Sequence, residues 1–155
     1  MLQEIRSNRD KIISFIALGE GLMNYSDLRA QGVCAKYIAI MAAGHVEIIT
    51  QRSLFEYSRR RSDEVISKFV LSTIQWENSL NCEKIKRILD KFDGALKDLV
   101  FSRMDEESKE AIDSLKNLRD ILAHGGDNGV SLGTVKRYFQ AVDKYATAMH
   151  EVLLA

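Results

Sequence analysis

Apolar residues recur at intervals of three and four along almost the whole chain, and no long stretch alternates apolar with polar residues. This spacing is typical of amphipathic α-helices, whereas strict alternation would indicate strands. Short connections between long helices favour antiparallel neighbours. The pattern therefore predicts one all-α domain over residues 1–155, an up-down bundle of five to six helices. The predicted helices cover residues 2–24, 28–60, 63–77, 82–101, 106–124 and 132–154.

Each predicted helix has an apolar side that we expect to face the core. In the second helix, residues 39–44 are rich in small side chains, which allow a neighbouring helix to approach closely. The residues expected to face inward are, in chain order, Ile5, Ile12, Ile13, Ile16 and Met23; Val33, Tyr37, Ile40, Met41, Ile48, Leu54 and Phe55; Val65, Ile66, Phe69, Val70 and Ile74; Ile85, Ile88, Leu89, Phe92, Leu96 and Leu99; Val135, Phe139, Val142, Ala146, Met149, Val152 and Leu153.

Local signals mark several helix ends. The fifth helix stops at the Gly125-Gly126 pair, because glycine readily adopts the backbone conformation that ends a helix. Four residues have side-chain oxygens suited to N-caps of the third to sixth helices, because such oxygens accept hydrogen bonds from free amides of the first turn. They are Ser62, Asn81, Asp105 and Ser131.

Composition agrees with a soluble globular domain. The 155 residues include 46% apolar and 28% charged side chains, with 22 basic and 22 acidic residues and no proline. This balance excludes a disordered tail and a strongly basic nucleic-acid coat. A chain without proline favours long uninterrupted helices.

The sequence also limits the cellular setting and the chemistry. Cys34 and Cys82 are too few and too far apart for a disulfide framework or a zinc site, and no metal-binding set or cofactor motif is visible. The N-terminus has no apolar signal core, and the longest nearly uncharged stretch, residues 37–46, is too short to span a bilayer. We therefore expect a cytoplasmic protein without membrane contact, metal or cofactor.

The end of the fifth helix carries the candidate chemistry. At 100° per residue, Asp120 lies one turn before His124, close enough to orient its imidazole. The helix separates its residues into two sides. The apolar side comprises Ala111, Leu115, Leu118 and Leu122, and the polar side comprises Asp113, Asn117, Asp120 and His124.

Arg119 does not share that polar side. It lies about 140° around the helix from His124, so one helix cannot easily direct both side chains at the same phosphate. Two copies of the helix beside a two-fold axis bring the two residue types together. The spacing therefore favours a homodimer with a composite cleft.

An arginine followed after four residues by a histidine, late in an all-α domain, resembles the signature of the HEPN superfamily (higher eukaryotes and prokaryotes nucleotide-binding). Arg119 and His124 match it, and Asp120 stands where a polar residue often follows the arginine. The long second helix resembles the RiboL-PSP-type branch of prokaryotic defence and toxin systems. The resemblance implies a small helical bundle and a metal-independent endoribonuclease.

The mechanism implied by the resemblance uses the RNA 2′-hydroxyl as the nucleophile. His124 of one chain removes its proton and the partner's His124 protonates the leaving 5′ oxygen, while Arg119 neutralises the phosphate. Asp120 holds His124, and Asn117 contacts the phosphate or positions Arg119. The products are a 2′,3′-cyclic phosphate and a 5′-hydroxyl. The implied partners are an RNA substrate, a second copy, and an antitoxin or regulatory protein.

Other polar residues leave alternatives open. Glu47, in an apolar stretch, either faces the cleft with a partner or points to solvent. Arg59 and Arg60, in the only basic cluster, either bind RNA phosphates or complement the dipole at a helix C-terminus. His45 is expected to be a hydrogen-bonded packing residue.

Two functions compete with the ribonuclease. One is a non-catalytic HEPN-like module that binds nucleotides, RNA or a protein, and the other is a helical adaptor without a ligand. The net charge of zero counts against tight RNA binding.

Overall fold

The structure is a computed structural model that describes residues 2–22, 24, 27–127 and 129–155. These residues form helices and no strand, which confirms the all-α prediction. Their helices number seven, one more than the largest number predicted. They are α1 (Gln3–Leu22), α2 (Leu28–Arg59), α3 (Glu64–Ile74), α4 (Cys82–Phe92), α5 (Gly94–Ser102), α6 (Glu106–Ala123) and α7 (Leu132–Leu153).

The additional helix arises because the predicted fourth helix breaks at Asp93. This residue has an extended backbone, with φ −168° and ψ 125°, and its carboxylate accepts a hydrogen bond from the amide of Ala95. Asp93 therefore ends α4 and caps α5. Aspartate competes for backbone amides in this way, and the Gly94 that follows is a weak helix former.

Three of the four predicted N-caps are confirmed, namely Asn81, Asp105 and Ser131. The prediction for α3 is wrong by one residue. The carboxylate of Asp63 accepts hydrogen bonds from the amides of Val65 and Ile66, whereas the Ser62 hydroxyl donates to the carbonyl of Ser58. A carboxylate is the stronger acceptor at a helix N-terminus, where the dipole favours negative charge.

Helix α2 is the centre of the bundle and packs against α1, α3, α6 and α7. Asn8 of α1 contacts His45, and the Thr50 hydroxyl lies 2.7 Å from that of Tyr145 in α7. These and similar contacts show that α1, α3 and α6 run antiparallel to α2 and that α7 runs parallel to it. The up-down arrangement is therefore confirmed.

By length and composition alone, α2 is apolar enough to cross a membrane, since an 18-residue window has a mean hydropathy of 1.4. The apolar part of α2 is therefore longer than residues 37–46, the stretch considered from the sequence too short to span a bilayer. The core helix of a soluble protein meets the same criterion, and 44% of this window is buried in the fold. A central helix needs apolar residues on several sides because several neighbours cover it.

Several residues expected to face the core are exposed instead, and the prediction for Met23 lies outside the described residues. Helix α2 packs inward through its small residues, among them Ala35, Ala39 and Ala42. Helix α3 buries Ser67 and Ile74 and leaves most of its apolar side uncovered. The exposed residues that were predicted to be buried are Ile13, Val33, Tyr37, Ile40, Val65, Ile66, Phe69 and Leu99.

Two exposed apolar surfaces result, one on α2 and one on α3. The outer stripe of α2 consists of the exposed Val33, Tyr37 and Ile40 and the partly exposed Gly44, and the α3 patch consists of the exposed Val65, Ile66 and Phe69.

Candidate active site

His124 is the residue at which α6 ends. Its backbone amide donates to the carbonyl of Asp120 at 3.1 Å, and Gly125 follows with φ 75°, a conformation that favours glycine. The imidazole is exposed, and within the described part of the chain it makes no hydrogen bond. It is therefore accessible to a ligand at the end of the helix.

Arg119 points in a different direction, towards α2. Its Nη1 donates to the Oε1 atom of Glu47 at 2.6 Å, and the two side chains are 30% and 16% exposed. Glu47 thus faces a partner rather than solvent, as one of the two sequence interpretations held. A half-buried ion pair of this kind holds the guanidinium in one place while leaving part of it open to water.

Asp120 does not make the contact with His124 that we expected. Its Oδ1 accepts from the Ser79 hydroxyl at 2.8 Å, and Lys116 Nζ lies 2.6 Å from Oδ2. These contacts, with Lys116 the stronger, lower the pKa of Asp120 below its ordinary value. Because Lys116 sits one turn earlier on α6, it draws the carboxylate back along the helix. In the single chain, Ser79 and Lys116 rather than the imidazole of His124 therefore contact the Asp120 carboxylate.

Ser79, in the connection between α3 and α4, contacts both the ion pair of Arg119 with Glu47 and the carboxylate of Asp120. Its amide donates to Glu47 Oε1 at 2.6 Å, and its hydroxyl contacts Asp120. Sequence reasoning missed this residue, because a serine in a short polar loop carries no signal beyond a turn. Its backbone φ of 51° is the one positive value at a non-glycine residue in the described chain.

Asn117 lies away from Arg119. The two residues are about 160° apart around α6, so within one chain Asn117 cannot position the guanidinium. Instead it borders a cleft of about 450 Å³ between α6 and α7, where it is exposed. Other residues lining this cleft include Ser114, Leu118, Ile121, Thr134 and Tyr138.

Arg59 and Arg60 also lie apart from the cluster. Both pair with Glu56, at 2.7 Å and 2.9 Å, and Arg60 donates to the carbonyl of Leu154 at 2.6 Å. The two guanidiniums lower the pKa of Glu56 to about 2. Twelve residues along α2 separate Arg59 from Glu47, a rise of about 18 Å. Within one chain these arginines therefore lie apart from Arg119, and their position agrees with the alternative that they complement the dipole at a helix C-terminus.

His45 is buried against the ring of Phe139, as predicted for a packing residue. Its Nδ1 lies 2.7 Å from Asn8 Oδ1, and its Nε2 is buried without a hydrogen-bond partner. Burial lowers the pKa of His45 to about 4. The ring is therefore neutral at pH 7 and belongs to the core.

The residues described here offer no group of three or more His, Cys, Asp or Glu side chains that could hold a metal ion. Both cysteines are free thiols, and burial raises the pKa of Cys82 to about 12. What the structure does assemble is Arg119, Glu47, Ser79 and Asp120 in contact, with the open imidazole of His124 at the end of the same helix.

The comparisons with known proteins agree with the sequence resemblance. A comparison with curated proteins and one with solved structures each returned no match. The family model described as RiboL-PSP-HEPN matches residues 3–155, which is nearly the whole chain. The chain therefore belongs to the RiboL-PSP-HEPN family, a HEPN-type family connected with RNA and nuclease chemistry.

Proposed function

We propose that the protein is a metal-independent endoribonuclease that acts as a homodimer, with a role as a toxin or antiviral effector. The observation that carries the proposal is the arrangement at the end of α6. Arg119 is held at one nitrogen by Glu47, and the imidazole of His124 is open to solvent. The remaining guanidinium N–H groups suit the oxygens of a phosphate.

In the proposed reaction, His124 of one chain removes the proton from an RNA 2′-hydroxyl. The 2′ oxygen then attacks the adjacent phosphorus, and the bond from phosphorus to the 5′ oxygen breaks. The partner's His124 supplies a proton to that leaving oxygen. Arg119 stabilises the charge that develops on the phosphate oxygens. The products are a 2′,3′-cyclic phosphate and a 5′-hydroxyl, and no cofactor takes part.

The divergence of the two side chains supports a composite site. Arg119 turns towards Glu47 on α2, whereas His124 caps the helix and faces outward. A second copy related by a two-fold axis supplies the missing imidazole or guanidinium.

We propose the outer stripe of α2 as the face on which the second copy packs. Val33, Tyr37, Ile40 and Gly44 follow one another at spacings of four, three and four, which places them on one side of the helix. Space beyond Gly44 is open, so another helix can approach closely there. Glu47, which holds Arg119, comes next on the same side, so pairing along the stripe brings the two active sites near the two-fold axis.

Ile40→Glu is expected to convert a dimer to a monomer at micromolar concentration, because it places a charge in an apolar contact. Sedimentation velocity measures the change. Phe69→Glu is the matched control, since Phe69 is exposed to a similar or greater extent on the α3 patch. A dimer that survives Ile40→Glu and is lost in Phe69→Glu would place the interface on α3 instead.

The activity itself is tested with purified protein, RNA and EDTA. We expect cleavage that leaves 2′,3′-cyclic phosphate ends, and a loss of about a hundredfold in kcat for Arg119→Ala, the scale of removing one oxyanion donor. Arg137→Ala on α7, whose guanidinium packs near the Tyr138 ring, is the control that leaves the rate unchanged. Cleavage that EDTA abolishes, or that persists in Arg119→Ala, contradicts the proposal.

A non-catalytic RNA-binding or protein-interaction module is the second candidate. Two observations favour it, namely the net charge of zero and the contacts that hold Asp120 away from His124. Binding of RNA without any cleavage by the wild-type dimer would select this function. The identity of an antitoxin or regulatory protein is a separate proposal, and co-expression with neighbouring genes is its test.

A further inference from the structure

We infer that Ser79 is the positioning residue of this site and that it orients Arg119 by holding Glu47 while keeping Asp120 in place. The inference rests on the proposed function only in so far as Arg119 binds the RNA phosphate.

Ser79 contacts carboxylates from two different helices at once. Its amide N–H donates to Glu47 of α2 at 2.6 Å, and its hydroxyl donates to Asp120 of α6 at 2.8 Å. The serine itself belongs to the connection between α3 and α4. Ser79 therefore connects α2, α6 and the α3–α4 connection beside the side chain of Arg119.

The amide contact acts on Arg119 through a shared atom. Glu47 Oε1 accepts from both Ser79 N and Arg119 Nη1. A carboxylate held by a backbone amide has fewer rotamers than one held by a flexible side chain alone, because the backbone is already ordered. Fixing Oε1 therefore limits where the guanidinium can lie.

The hydroxyl contact acts on Asp120. Together with Lys116, it holds the carboxylate on the side of α6 that faces α4. The lowered pKa of Asp120 agrees with two donors on that group. Asp120 is thereby kept ionised and away from the imidazole of His124.

The backbone of Ser79 has the left-handed conformation that these contacts need. With φ 51°, it lies in a region that glycine and asparagine adopt readily and that β-branched residues avoid. Strained backbone of this kind persists where surrounding contacts hold it, and such positions cluster at functional sites.

Two variants of similar size distinguish a role of Ser79 in positioning Arg119 from a role in maintaining the α3–α4 connection alone. Ser79→Asn tolerates the positive φ and retains both the amide and a side-chain donor. Ser79→Val keeps the amide N–H but has no side-chain donor, and it disfavours the backbone conformation that directs the amide at Glu47. We compare the NMR signals of the Arg119 guanidinium and the pKa of Asp120, and then the kcat and KM for RNA cleavage. Thermal melts and the circular dichroism spectrum verify the fold, and Ser79→Ala replaces the valine variant if that variant is unfolded.

The inference predicts that Ser79→Val moves the Arg119 signals, raises the pKa of Asp120 and lowers kcat at least tenfold, while Ser79→Asn stays within about threefold of wild type. A folded Ser79→Val protein with unchanged Arg119 signals overturns it. Altered signals in a protein that never cleaves RNA support the role of Ser79 and refute the ribonuclease. If Ser79→Val loses cleavage while the Arg119 signals stay unchanged, the positioning role of Ser79 is contradicted but the proposed ribonuclease activity is not.

Discussion

His124→Ala is expected to lower the kcat for RNA cleavage about a thousandfold, since general acid–base catalysis by a positioned side chain contributes 10²–10⁴-fold. The effect is large because the proposed reaction uses one imidazole to remove a proton and another to deliver one, and the homodimer loses both. The exposed position of His124 at the end of α6 means that the variant folds normally, with an unchanged melting temperature. Rates are measured in EDTA with a labelled RNA.

Added imidazole provides a sharper test of the same prediction. Because alanine leaves an open space at the helix end, free imidazole at millimolar concentration is expected to restore part of the rate. His150→Ala, which removes a half-buried histidine from α7, is the control that keeps wild-type activity. Undiminished cleavage by His124→Ala would identify a contaminating nuclease and remove the support for a catalytic histidine.

The second large effect is a loss of stability in acid that depends on His45. The folded protein depresses the pKa of this buried ring from 6.5 to about 4. The unfolded chain therefore binds the proton more readily, and stability falls as the pH drops from about 6.5 towards 4. The full shift corresponds to about 3 kcal/mol, which is reached when the pH falls below about 4 and the ring is charged in both the folded and the unfolded state. The ion pair of Arg9 and Asp143 lies near the ring and contributes opposing effects.

Urea denaturation at a series of pH values measures the effect. About half of the loss falls between pH 6.5 and 5, an interval in which carboxylates with lowered pKa values, such as Glu56, do not yet titrate. His45→Phe fills a similar volume and is expected to flatten the curve in that interval. His150→Gln serves as the control, and a curve that flattens only in this variant would show that His150, not His45, is responsible.

The features that local sequence determines are the helices and most of their ends. Asn81, Asp105 and Ser131 act as caps because each side-chain oxygen satisfies an amide of its own helix. The break at Asp93 was missed although Asp-Gly is a turn signal. The apolar spacing of the surrounding residues outweighed it, since the same spacing continues through α5.

The orientation of α2 and α3 shows where periodicity fails. Val33, Tyr37 and Ile40 form a regular apolar side, yet that side is the exposed one. The opposite side carries alanines, which bury less area but let α1 and α7 approach closely. Helical spacing indicates which residues share a side, whereas the neighbours decide which side is covered.

The same distinction holds for the candidate site. The motif of Arg119, Asp120 and His124, and with it the family, is readable from the sequence because those residues lie within one and a half turns of a single helix. The partners that act on them are separated by long distances along the chain: Glu47 precedes Arg119 by 72 residues, and Ser79 precedes Asp120 by 41.

By itself, then, the sequence determined the helical class, most caps, the candidate motif and the family. Only the tertiary structure decided that Arg119 pairs with Glu47, that Asp120 turns to Ser79 and Lys116, and that Asn117 faces a different cleft. The physical reason is the separation along the chain between the residues that interact. Caps and helix sides depend on residues a few positions apart, whereas a side chain with several acceptors within reach takes the one that packing brings closest.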